Sequence, residues 1–159
     1  MNEKRFSLAE AQREFAKKTN GRVWELLGKT NRTLAEDEEM VLAAQASLYH
    51  WSQIGTGVHA QRGQWLLAHV YTVLEQPDLA MQHASRCMEF TEVNPTEMKD
   101  FDLAYAYEAL ARAYGLQGNV EKAKETYAMA ADAGAAISNA EDKEIFMGDF
   151  HAGSWYGIV

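Results

Sequence analysis

Cysteine, proline and strand-like patterning are all scarce in this chain. A single cysteine, Cys87, excludes an intramolecular disulfide and points weakly to a reducing compartment. Only two prolines occur, Pro77 and Pro95, and no segment is of low complexity. β-branched residues never alternate with polar ones over the length of a strand. There is no run of roughly 18 apolar residues, so no membrane span is expected. The first residues, Met1-Asn2-Glu3-Lys4-Arg5, lead into a charged amphipathic stretch and not into the apolar core of a secretion signal. A cytoplasmic protein is the expectation.

What is abundant is Ala, Leu, Glu, Met and Gln, all strong helix formers. The 159 residues are enough for one domain with a proper core, and an all-α fold is expected. The net charge of −8 is uneven. Residues 1–32 hold eight Lys/Arg against four Asp/Glu, whereas the remainder is strongly acidic. A basic first helix docking on an acidic body accounts for this. The acidic remainder would repel phosphates, so neither nucleic acid nor a lipid surface is an expected partner.

Capping signals divide the chain into about seven helices. Ser7-Leu8-Ala9-Glu10, Thr33-Leu34-Ala35-Glu36 and Ser138-Asn139-Ala140-Glu141 each fit a capping box. The first predicts a helix over 8–27 with a stripe of Phe15, Thr19, Val23 and Leu27 and a kink at Asn20-Gly21. The second predicts a helix to about Ile54 with a stripe of Met40, Ala44, Ser47, Leu48 and Trp51. Further helices are expected over 58–75, from Pro77 to about Val93, from a Thr96 cap to Gln117, and from the Gly118-Asn119 turn to about Ile137. A short seventh helix should follow, and 148–159, with three glycines among Phe150, Trp155 and Tyr156, should be irregular.

Residues 104–137 carry a recognisable pattern. One helix reads Ala104-x-x-Tyr107-x-x-Leu110-Ala111-x-x-Tyr114, Gly118 makes the turn, and the next helix reads Ala123-x-x-x-Tyr127-x-x-Ala130. This unit resembles a tetratricopeptide repeat, although Ala135 replaces the family's usual proline. Residues 61–94 hold a fainter copy 43 residues upstream, with Leu67, Ala68, Tyr71 and Ala80 at the matching positions and Glu75 where the turn glycine stands. The resemblance implies a single domain, 1–159, folded as a right-handed α-α superhelix of stacked antiparallel helical hairpins. The first two helices would be a degenerate further unit, and the seventh a terminal cap.

The resemblance also implies a concave groove lined by the first helix of each unit. Its positions here are Arg62, Trp65, His69 and Val73, then Tyr105, Glu108 and Arg112. Aromatics offer area and arginine offers bidentate carboxylate recognition, so a peptide terminus or acidic side chain is one candidate ligand. Alternatively these groups pair with each other, Glu108–Arg112 being an ordinary i,i+4 surface pair.

Other candidate chemistry is thin. His50, His59, His69, His83 and His151 lack metal-binding spacing, and no metal or other cofactor is expected. Cys87 shares a face with His83 but aligns with the small packing position Ala130, which predicts a buried structural thiol. His50-Trp51 closes its helix. Asp100 and Asp102 stand at the start of the fifth helix and Asp149 in the tail; paired carboxylates can serve acid–base catalysis, but at a helix start the dipole is the favoured explanation. No catalytic residue is assigned. Three readings follow: a scaffold binding a peptide or protein in its groove; a small-ligand or enzymatic pocket near Arg62, His69 and Glu108; and a structural protein pairing with a second copy. The aromatic tail is expected to fold back on its own chain, with groove insertion and subunit joining as the other options.

Overall fold

A computed structural model describes residues 3–159; Met1 and Asn2 of the amino-terminal stretch lie outside the described residues. Among the described residues the fold is all-α, with seven helices: α1 (Leu8–Leu27), α2 (Leu34–Ile54), α3 (Gly57–Val73), α4 (Pro77–Val93), α5 (Asp100–Leu116), α6 (Val120–Ala135) and α7 (Ala140–His151). None is long and apolar enough to cross a membrane.

The caps explain most boundaries. Ser7 and Thr33 each accept from the backbone N–H three residues on, while Glu10 and Glu36 accept from the cap's own N–H. Pro77 opens α4, where its missing donor costs nothing. Two expected caps are displaced. Helix α5 is capped at Lys99 and not at Thr96, the Asp102 carboxylate accepting from the Lys99 N–H at 2.8 Å. Helix α7 is capped by Asn139, whose side chain accepts from the Asp142 N–H; Ser138 donates instead to Asp100 on α5. Helix α1 runs through Asn20-Gly21 without interruption as one helix.

Packing is strongest within the pairs α1–α2, α3–α4 and α5–α6. Helices α3 and α5 also lie side by side, and α7 packs against α5 and α6. The second and third pairs repeat each other at 43 residues: α3 and α5 are both 17 residues long and begin at Gly57 and Asp100. Their turns match in detail. Glu75 and Gly118 both take positive φ, at 54° and 75°. Behind them the N–H groups of Gln76 and Asn119 donate to the carbonyls of Tyr71 and Tyr114 at 2.9 and 3.0 Å. The small residues of the pattern are buried as spaced: Ala68 and Ala80 in one unit, Ala111, Ala123 and Ala130 in the other, with Cys87 at the Ala130 level. Burial pushes the Cys87 thiol well above its ordinary range.

Two apolar clusters share α5. One joins α1–α4 to Ala109 and Ala113; the other joins Ala104 and Ala111 to α6, α7 and the tail. The buried face of α1 is Ala16, Val23 and Leu26, not the stripe read every four residues: Phe15 is exposed and lies over His50. Ser47 of α2 donates to the Ala16 carbonyl at 2.9 Å, which draws the face round. The basic end of α1 meets the acidic start of α2 through Arg22–Glu39, Lys29–Glu36 and Arg32–Asp37. Arg22–Glu39, the exposed one, is of the kind worth little stability.

The carboxy-terminal segment departs from expectation in part. Residues 148–151 are helical, since α7 continues to His151. Phe146 and Phe150, four residues apart, are both buried against α5 and α6, and this apolar face carries the helix through Gly148. Gly134 on α6 makes the contact feasible: a Cβ there would stand 2.2 Å from the Phe146 ring. Beyond α7 the chain is irregular and folds back over α5, burying Trp155 and Ile158. It ends near α3, where the Tyr156 hydroxyl donates to the Thr72 carbonyl at 3.1 Å.

Candidate functional site

The parallel course of α3 and α5 makes a floor, with α1 as one wall and α7 with the tail as the other. Two adjoining, partly open clefts of about 420 and 410 Å³ lie between them. They share Trp24, Trp65 and Asp149. All six residues expected from the sequence lie on them: Arg62, Trp65 and Tyr105 on the first, and Trp65, His69, Glu108 and Arg112 on the second, where Val73 joins them.

The floor is cross-linked by its own polar groups. Asp102, only 2% exposed, takes a bidentate pair from Arg62 at 2.9 and 3.1 Å. Buried Gln61 donates to the Asp102 carbonyl and to Thr91. The Trp65 indole N–H donates to Glu108 at 3.0 Å, joining α3 to α5. Helical spacing fixes these meetings: Arg62, Trp65 and His69 stand on one face of α3, Tyr105, Glu108 and Arg112 on the facing side of α5.

Glu108 and Arg112 are not the surface pair their spacing suggests. They are 3% and 5% exposed and bonded to each other. The Arg112 guanidinium then turns to the tail, donating to the carbonyls of Ser154 at 2.7 Å, Ala152 at 2.9 Å and Asp149 at 3.2 Å. These include the free carbonyls at the end of α7, where positive charge is favoured. The indole of Trp155 lies 3.9 Å from the guanidinium carbon. With its donors so committed, Arg112 anchors the tail and is not available to a carboxylate ligand.

What the clefts leave uncovered is aromatic. Trp24 and Trp65 lie 6.1 Å apart with rings 22° from parallel, and Trp65 meets Tyr105 edge-on at 5.2 Å. His69 stacks on Trp65 at 5.1 Å. Its Nδ1 is the buried side-chain polar atom, among the described residues, that lacks a hydrogen-bond partner. Burial lowers the His69 pKa and holds the ring neutral. The Tyr105 hydroxyl donates to Asp149 at 2.5 Å; burial, then that bond and the nearby carboxylates, hold the phenol well above its usual range.

Trp24 and Asp149 are among several lining residues not expected from the sequence. Trp24 sits one position from the core residue Val23, so only the true orientation of α1 turns it into the groove. Asp149 reaches the site because α7 extends past Gly148. Among the described residues, no group of three or more His, Cys, Asp or Glu is arranged to hold a metal ion. Comparison with protein-family models, with curated proteins and with solved structures returns no match.

Proposed function

We propose that this chain is a tetratricopeptide-like helical scaffold that holds a peptide or protein partner in the groove between α1 and α7. The observation that carries this reading is the aromatic surface of Trp24, Trp65 and Tyr105, left partly uncovered within a preformed groove. Such surfaces mark interaction sites, because a partner gains area there with few rotamers to freeze. The 43-residue correspondence of the two hairpins supports the repeat, longer than the family's roughly 34 residues. The right-handed coil of the stack belongs to the same proposal, as does action in the cytoplasm, where the lone thiol would stay reduced.

The enzymatic alternative draws less support. Of its three residues, Glu108 is held by Trp65 and Arg112, and Arg62 is held by Asp102, which leaves His69 alone.

The test is crosslinking capture with Trp24→Ser, a substitution at an exposed position that spares the core. A partner taken by the native chain should be lost with Trp24→Ser and kept with Leu42→Ser, an exposed change on the opposite hairpin face. Equal capture by both variants removes the groove from consideration.

A further inference from the structure

The arginines first suggested an acidic ligand; the structure reverses that sign. Within the two clefts two guanidiniums face three carboxylates. Arg62 is paired with Asp102 and Arg112 with Glu108, which leaves one uncompensated charge, on Asp149. Asp149 takes the Tyr105 hydroxyl on Oδ2, and among the described residues no hydrogen bond reaches its Oδ1. It is exposed and lines both clefts beside Trp24 and Trp65. Leu66, Phe101 and Ile145 add apolar wall to the first cleft, with Asn20 and Gln61 as its remaining polar lining.

Indole faces beside a free carboxylate, with an apolar approach, match one kind of side chain. Arginine has an apolar stem, a flat cation that stacks on tryptophan, and a fork that fits a carboxylate. An acidic group would meet the Asp149 charge, while both guanidiniums of the clefts already face a carboxylate. A purely apolar group would strip water from Asp149 without replacing its bonds. Resting on the groove reading above, we propose that the partner is a basic peptide segment that lays an arginine side chain against the cleft-lining surface of Trp24 and Trp65 and pairs it with Asp149. The net charge of −8 would draw such a segment in.

The test uses the full chain with ¹⁵N-labelled tryptophan and follows its indole signals. Three acetylated, amidated Ala/Gly nonapeptides serve as probes, carrying arginine, citrulline or glutamate at the centre. Citrulline keeps arginine's shape and removes its charge. The arginine peptide should shift the Trp24 and Trp65 signals and bind roughly five-fold tighter than the citrulline peptide. Asp149→Asn, which keeps the acceptor for Tyr105, should abolish that preference, and salt should weaken only the arginine peptide. Citrulline or glutamate binding as well as arginine overturns the proposal while leaving the groove reading intact. Butylguanidinium binding as tightly as the arginine peptide overturns the peptide and assigns the site to a small cation. No shift with any probe at millimolar concentration removes both readings.

Discussion

Glu108 and Arg112, one turn apart on α5, form a buried ion pair whose guanidinium also holds the backbone of the carboxy-terminal segment. Arg112→Ala would leave the Glu108 charge buried beside Trp65 and orphan several carbonyls of α7 and the tail. Urea denaturation should show a loss of about 3–5 kcal/mol. Chymotrypsin should then cut near Trp155 and Tyr156 before the body of the chain. A variant within about 0.5 kcal/mol of the native chain, with its tail still protected, would mean that the clamp carries little.

Glu75 holds the left-handed conformation that glycine holds 43 residues later. A Cβ there costs roughly 1 kcal/mol that glycine avoids. Glu75→Gly should therefore raise the melting temperature by about 2–4 °C. Gly118→Ala should lower it by a similar amount. Calorimetry on the two variants reads both signs, and changes in the same direction would contradict the shared turn geometry.

Ala111 is fully buried where α5 packs against α6 and α7. Ala111→Leu adds three carbons to a space with no room and should cost about 1–3 kcal/mol in thermal or chemical unfolding. An unchanged midpoint would show that this hairpin tolerates a wider spacing than its alanines imply.

His69 links stability to pH. Its folded pKa is depressed, so the unfolded chain binds the proton more readily, and stability is complete above the unfolded value of about 6.5. It is lost progressively as pH falls from there through the folded pKa. His59 and His83 are shifted in the same direction, also by burial, and add to the slope. His69→Phe keeps a ring against Trp65 and removes the unpartnered Nδ1, so the variant should be at least as stable at pH 7.5 and lose less on going to pH 5.5. Urea midpoints at the two values decide this; parallel losses in native and variant chains would show that the ring is not held neutral.

Much of the helix layout was legible in the sequence because its causes are local. Ser7, Thr33 and Pro77 act on backbone groups within one turn of themselves. The alanines at 68, 80, 111, 123 and 130 mark close approach wherever the helices meet. The resemblance to a tetratricopeptide unit pointed to Arg62, Trp65, His69, Tyr105, Glu108 and Arg112 as groove positions, and all six line the two clefts.

What each of those side chains does was decided by tertiary structure. A helical spacing says which residues share a face, but not what stands opposite. Arg112 and Glu108 have the spacing of an exposed pair, but Trp65 covers Glu108 from α3 and the returning tail, more than thirty residues away, takes up Arg112. The rotation of α1 is set by Ala16 meeting Ser47, and that rotation brings Trp24 into the groove. Helix α7 passes Gly148 because Phe146 and Phe150 find buried seats, and Asp149 reaches the site on that extra turn. The free charge of the groove is a difference between paired and unpaired groups. It exists only once the chain has folded and each arginine has found its carboxylate.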